Sequence, residues 1–168
     1  GLPASTRVTG SAAEMRASGS DIWGPADEFR FRYAQVDTNA SLTVRVADIE
    51  GADVWRKAGL MIRESLDPGS KHVMVIVSPG KGVAMQYRSA DGGVTANAGL
   101  IPGVPPQWLR LERVGHTFHG WASPDGVAWT RIAMIDVPMR FAIHGGLVLT
   151  SHNNTALATG TFDNLMVR

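Results

Sequence analysis

The chain has 168 residues, a formal net charge of +1, 18% charged residues and no cysteine. This length is typical of one domain with a full core, and the lack of cysteine excludes disulfides, thiol catalysis and thiolate metal sites. The balanced charge gives no reason to expect nucleic acid or a membrane surface as a partner, and no stretch approaches the roughly 18 apolar residues of a transmembrane helix. Residues 1–6 lack the features of a signal peptide. We predict them to be a linker or an artificial edge, and 7–168 to be a single domain.

Short alternating segments separated by turn residues run through the whole chain. Glycine and proline mark the turns, and the segments are too short and too rich in β-branched residues for helices. Residues 91–107 show no strand pattern, whereas 71–78 is apolar on both faces and is expected to lie centrally in a sheet. The predicted strands, the first of them a hairpin, cover residues 6–17, 29–33, 42–47, 58–64, 71–78, 83–88, 108–114, 117–123, 129–137, 141–150 and 156–167. About a dozen such strands predict an all-β sandwich or barrel.

Alternation within the predicted strands separates an apolar face from a polar one, since successive side chains of a strand point to opposite faces. In 58–64 and 83–88 the aliphatic positions oppose arginine and glutamine. In 108–114 and 117–123 they oppose tryptophan, arginine and histidine. If all the aliphatic positions face the core, one outer face carries Arg63, Gln86, Arg88, Trp108, Arg110, His119 and Trp121.

Such a face has the chemistry of a polysaccharide-binding surface. Indole rings can stack on the C–H faces of sugars, and arginine can pair with a uronate or a sulfate through two hydrogen bonds. The alternative is that Trp108 and Trp121 belong to the core and that the arginines cover them and pair with Glu64 or Glu112.

Several phrases of the sequence, in their order, resemble a family of bacterial concanavalin A-like β-sandwich modules. These phrases are GSDIWGPADEFRFRY, KAGLMIRESLDPGSKHVMV, GVAMQYRSADG, WLRLERVGHTF, SPDGVAWT and TSHNNTALATGTFDNLMV. The resemblance implies an all-β, two-sheet antiparallel jelly-roll sandwich. It also implies a non-catalytic module that binds a polysaccharide or oligosaccharide and is attached to the catalytic domain of a secreted bacterial protein. We expect the module to be a monomer.

The resemblance further implies a structural calcium ion with Asp163 as a candidate ligand. Calcium takes six to eight oxygen ligands, and the loop that holds Asp21 and Asp27 would supply more of them if it lies near the last strand. The alternative is that Asp163 and Asn164 hydrogen-bond to neighbouring turns.

Three further tryptophans and one histidine lie in or beside predicted loops. We interpret Trp23 and Trp55 as caps on the ends of the core, the alternative being that they stack on a ligand. Trp129 begins a strand and is interpreted as structural. His152 precedes two asparagines and is interpreted as part of a turn that could still touch a ligand.

Two other classes of function, an enzyme and a structural module, compete with glycan binding, which is the first. A hydrolase of this fold would need paired carboxylates, and the alternating acidic pattern E-x-D-x-E does not occur. A polysaccharide lyase would need a base and cationic groups, for which the chain offers His72, Tyr87, His119, Arg63 and Arg88. The third function is a structural or protein-interaction module that binds no glycan.

Overall fold

The computed structural model describes residues 1–140 and 143–168, which form strands, turns and loops without a helix. Within these residues, no helix is long and apolar enough to cross a membrane. Phe141 and Ala142, the predicted start of the strand 141–150, lie outside the described residues. The strands are β1 (Ser5–Thr9), β2 (Ala12–Gly19), β3 (Ile22–Trp23), β4 (Ala26–Asp27), β5 (Arg30–Val36), β6 (Asn39–Glu50), β7 (Lys57–Arg63), β8 (His72–Ser78), β9 (Gly82–Arg88), β10 (Ala96–Ile101), β11 (Gln107–Val114), β12 (Thr117–Ser123), β13 (Thr130–Asp136), β14 (Ile143–Thr150) and β15 (Asn153–Val167).

Two large antiparallel sheets make up the sandwich. The seven-stranded sheet has the order β1-β2-β15-β6-β11-β12-β13, and the six-stranded sheet has the order β10-β9-β8-β7-β14-β5. Late strands β15 and β14 lie between early ones, so the chain winds between the sheets as a jelly roll does. The predicted fold class, an all-β two-sheet jelly-roll sandwich of the concanavalin A-like kind, is confirmed.

The main core lies between the sheets and is built from the aliphatic positions that alternation predicted. Leu60 and Val75 of the six-stranded sheet and Leu109 of the seven-stranded sheet are fully buried there. Gly120 allows the sheets to approach, because a Cβ at this position would lie 2.7 Å from the sulfur of Met85. The strands β7, β9, β11 and β12 therefore have the inward faces that alternation predicted.

Three parts of the chain form strands where none was predicted. β3 and β4 pair as a short hairpin between the predicted strands 6–17 and 29–33. β10 lies in the stretch 91–107; it is a partly exposed edge strand with a bulge between Asn97 and Gly99, so regular alternation is absent. β1 begins at Ser5, inside the range assigned to a linker. The backbone N–H of Leu2 also donates a hydrogen bond to Ser18 Oγ at 2.6 Å.

A second apolar layer covers part of the outer face of the six-stranded sheet. Ile22 of the small β3–β4 hairpin packs there on Met61, Met74 and Val148, with Phe29 at the margin. This layer explains why every residue of β8 is buried. The strand lies between β7 and β9, as its two apolar faces predicted. We call residues 20–29, which supply the cover, the covering segment.

Candidate functional site

The structure divides the predicted polar face between two surfaces. The residues on β7 and β9 belong to the six-stranded sheet, whereas those on β11 and β12 belong to the seven-stranded sheet. Because the core lies between the sheets, their outer faces point in opposite directions. The prediction of one shared face is therefore wrong, although the inward or outward direction of each side chain is right.

Arg63 and Arg88 are buried beneath the covering segment and do not reach the surface. Their exposed fractions are 2% and 0%. Arg88 donates to both carboxylate oxygens of Asp27, at 2.6 and 2.8 Å, and to the carbonyls of Gly24 at 2.8 Å and Gly93 at 2.7 Å. These bonds fasten the covering segment to the sheet, so the predicted role of both arginines as surface ligands is corrected to a structural one.

His72 completes this buried cluster, which we call the Asp27 network (Asp27, Arg63, His72 and Arg88). Burial raises the pKa of Asp27, while the hydrogen bonds and charge of Arg88 and the charge of Arg63, 3.4 Å away, oppose that rise. The pKa of His72 is well below its usual range, because burial disfavours the imidazolium and both arginines repel it. His72 is therefore neutral at neutral pH.

An open cleft of about 470 Å³ lies beside the covering segment on the same outer face. Ile76 and Ala84 form its apolar floor, and indole rings of Trp23 and Trp55 line it. These indoles are 38% and 43% exposed. Trp23 belongs to the β3–β4 hairpin and Trp55 to the β6–β7 connection. We call this cavity the tryptophan cleft; it is lined in addition by Gln86 and His152.

Lysines accompany both indoles of the tryptophan cleft. Lys57 Nζ donates to Asp21 Oδ1 at 2.6 Å and lies 5.4 Å from the centre of the Trp23 ring. Lys81 Nζ lies 3.6 Å from the centre of the Trp55 ring. An ammonium over an indole is attracted by the negative face of the ring, so these contacts hold the rings in place.

His152 fixes the end of the cleft formed by the β14–β15 turn. Its φ of 58° lies in the left-handed region, which is uncommon for a residue other than glycine. Its Nδ1 lies 3.1 Å from Asp53 Oδ2, and its Nε2 lies 3.6 Å from Asp21 Oδ2. The pKa of Asp53 is lowered by the backbone N–H of Trp55 and by the hydrogen bond with His152. Asp53 thus links the histidine to the loop that carries Trp55.

Gln86 is a predicted site residue that does line the tryptophan cleft. Its side chain is 7% exposed, and its Nε2 donates to Asn97 Oδ1 at 2.8 Å. Its Oε1 is buried and has no hydrogen-bond partner among the described residues. A buried acceptor without a donor is costly, so this oxygen is an unsatisfied group at the cleft floor.

The opposite outer face carries the other predicted residues, which are partly exposed. Trp121 Nε1 donates to Glu112 Oε2 at 2.9 Å. The guanidinium carbon of Arg110 lies 4.0 Å from the centre of the Trp129 ring, and that of Arg131 lies 5.9 Å from the centre of the Trp121 ring. Trp108 and Trp121 are thus outer-face residues and not core. We call this surface the Arg–Trp face: Trp108, Arg110, Glu112, His119, Trp121, Trp129 and Arg131.

The surroundings of Asp163 do not fit the implied calcium site. Its Oδ2 accepts from Arg45 Nη1 at 2.7 Å, and its Oδ1 accepts from Asn164 Nδ2 at 2.8 Å. Asp21 and Asp27 have other partners, and the described residues contain no group of three or more metal-capable side chains. A cation at Asp163 would have to displace a guanidinium. Calcium binding stays a prediction.

The residues needed for the lyase alternative are not brought together. His72 and its two neighbouring arginines are buried in the Asp27 network, and His119 lies on the seven-stranded sheet. Tyr87 packs against the core. No common surface offers these groups to one substrate.

Sequence reasoning misjudged both indoles of the tryptophan cleft. The sequence pattern predicts Trp23 and Trp55 to be caps on the core, whereas the structure exposes them at one cleft. The available signal was their position in polar loops beside Asp21 and Asp53. That signal became useful only with the strand order, which places both loops over the same face.

Comparison with known proteins bears on the fold. A functionally unknown protein from Saccharomyces cerevisiae has a similar structure, with a TM-score of 0.77 and 17% identity over 98% of this chain and 91% of that one. A family 7 alginate lyase in complex with product has a TM-score of 0.64 and 10% identity over 94% and 79% of the two chains. The carbohydrate binding module CBM66 from Bacillus subtilis has a TM-score of 0.62 and 14% identity over 99% and 92%. No protein-family model and no curated protein matches the sequence. At such identities the similarity establishes the jelly-roll fold.

Proposed function

We propose that this chain is a non-catalytic carbohydrate-binding module and that the tryptophan cleft holds its glycan. The observation that carries the proposal is the pair of exposed indoles, Trp23 and Trp55, at one cleft with an apolar floor. Flat aromatic surfaces stack on the C–H faces of sugar rings, and a volume of about 470 Å³ lies in the ordinary range of ligand pockets.

The polar groups of the cleft favour a neutral glycan. Lys57 is paired with Asp21 at 2.6 Å, and His152 lies between Asp21 and Asp53. Among the described residues, Lys81 is the one lysine of the lining that forms no ion pair. Gln86 has a buried acceptor without a donor, which a sugar hydroxyl can satisfy once the side chain turns toward the cleft. The ligand class that fits is a neutral oligosaccharide or the end or interior of a neutral polysaccharide.

The similar solved structures support a carbohydrate ligand, since one is a carbohydrate binding module and another is an alginate lyase in complex with product. Binding is favoured over catalysis because the lyase residues are dispersed or buried. Secretion, attachment to a catalytic domain and a monomeric state stay predictions from the resemblance.

The test is affinity electrophoresis and calorimetry against a panel of neutral polysaccharides, with product analysis of the same samples. We expect retardation by at least one glycan without new reducing ends or unsaturated products. Trp55→Ala and Trp23→Ala should each weaken affinity roughly tenfold to hundredfold, the range of a central aromatic contact. Trp121→Ala removes an indole from the opposite face and serves as the matched control.

Other outcomes separate the competing functions. Product formation would establish an enzyme. If no glycan of the panel binds, the structural alternative is supported. If Trp121→Ala loses as much affinity as the cleft variants, the neutral glycan binds at the Arg–Trp face instead.

A further inference from the structure

The Arg–Trp face carries two arginines that lie over indole rings. Arg110 stacks on Trp129 at 4.0 Å, and Arg131 lies over Trp121 at 5.9 Å. Stacking on an indole orients a guanidinium while its N–H groups keep their hydrogen-bonding capacity. We infer that the Arg–Trp face is a second binding site, separate from the cleft, which takes an acidic polysaccharide through its sulfate or carboxylate groups.

The charges near these arginines leave the face positive. Among the described residues, neither Arg110 nor Arg131 forms an ion pair within 4.0 Å. Glu112 accepts the Trp121 N–H, and two further acids of this sheet face have partners of their own: Asp163 is paired with Arg45 at 2.7 Å, and Asp136 accepts from Thr117 Oγ1 at 2.6 Å. The guanidiniums are therefore not neutralised by carboxylates of the chain.

A groove of about 310 Å³ continues this positive surface across the sheet. Arg110, Arg168 and Thr43 line it together with Glu112. Arg110 Nε donates to Thr43 Oγ1 at 3.3 Å, which ties the guanidinium to the neighbouring strand β6. Two arginines against one acid give the groove the charge that an anionic group requires.

The strand register favours a polymer over a single small anion. Arg110 lies opposite Trp121 on β12, and Trp121 lies opposite Arg131 on β13. Because neighbouring strands are about 4.8 Å apart, the two arginine positions are separated by roughly 10 Å across the sheet. A chain with repeated anionic groups that crosses the strands can meet both guanidiniums, with Trp121 between them as a surface for a sugar ring.

The probe is dextran sulfate, with neutral dextran as the matched backbone and polygalacturonate to distinguish carboxylate from sulfate. Affinity electrophoresis and calorimetry should show binding to dextran sulfate, polygalacturonate or both, but not to dextran. The double variant Arg110→Gln with Arg131→Gln should weaken this binding by about tenfold or more. The double variant Arg110→Lys with Arg131→Lys keeps the charge and should lose less affinity than the double glutamine variant.

The control is Arg7→Gln with Arg32→Gln, which removes two exposed arginines from edge strands and gives the same net charge. If the control pair loses as much affinity for dextran sulfate as the Arg110→Gln with Arg131→Gln variant, only net charge matters and the proposed site is wrong. Equal binding to polyglutamate would overturn the polysaccharide class in favour of an acidic protein partner. Trp55→Ala should leave dextran sulfate binding unchanged, so failure of the cleft proposal and failure of this one are distinguishable.

Discussion

The outer faces of the two sheets carry the same residue types but use them differently. On the six-stranded sheet, Arg63 and Arg88 lie under the covering segment and bind Asp27. On the seven-stranded sheet, Arg110 and Arg131 lie against indoles at the surface. The difference teaches that the cover, and not the residue type, decides whether an outward-facing arginine is structural or available to a ligand.

The contrast extends to energetics. A buried charge that loses its partner is left without solvent, whereas an exposed one regains water. The predictions that follow test this difference between the faces, starting with the largest expected effect.

Removing the central acid of the Asp27 network should unfold or severely destabilise the protein. Asp27→Ala leaves Arg88 buried without its carboxylate, which we expect to lower the free energy of unfolding by about 3–5 kcal/mol. Urea denaturation followed by tryptophan fluorescence measures this loss. Because Asp27 also holds the covering segment, neutral-glycan binding in the cleft should fall as well.

The matched control on the other face is Asp163→Ala, which breaks the partly exposed pair with Arg45. Its expected cost is about 0–1 kcal/mol, since both groups reach water. Similar losses in Asp27→Ala and Asp163→Ala would contradict the difference between the faces.

The second prediction concerns the stability of the fold at acidic pH. The unfolded chain protonates His72 below about pH 6.5, whereas the folded chain, with its lowered pKa, does not. The unfolded state then binds more protons, so the free energy of unfolding should fall by up to about 1.4 kcal/mol per pH unit below that value. Asp27 acts in the opposite sense, because its raised pKa makes the folded state bind the proton first.

His72→Asn should flatten this acid slope relative to the unsubstituted chain, whatever its effect on stability at neutral pH. Denaturation at several pH values between about 5 and 7.5 measures the slope. Gln86→Leu, a change on the same face without an ionisable group, should keep the original slope. An unchanged slope in His72→Asn would refute the role assigned to this histidine.

The smallest effect is expected at the cleft floor. Gln86→Leu removes a buried oxygen that has no partner, so the free energy of unfolding should change by less than about 1 kcal/mol. Affinity for the neutral glycan should fall by about tenfold, because a sugar hydroxyl loses its acceptor. Calorimetry measures the affinity, and thermal denaturation measures the stability. Unchanged affinity would remove Gln86 from the site.

Local sequence pattern predicted the strands and their inward faces, because alternation is a property of each strand alone. It could not assign strands to sheets: the strands carrying Gln86 and Trp121 alternate alike and lie in different sheets. It also missed β10, whose bulge interrupts alternation. The exposure of Trp55 depends on which surface its loop lies over, and only the tertiary arrangement fixes that.

The tryptophan cleft draws its key side chains from three separate connections, which carry Trp23, Trp55 and His152. None of these connections sets the register of the six-stranded sheet, whose pairing is maintained by the strands themselves. Ligand preference can therefore diverge by replacement of the loops that carry Trp55 and His152, whereas the segment that carries Trp23 must keep Asp27 for the scaffold to fold. The same separation makes this sandwich a suitable frame for grafting new recognition loops.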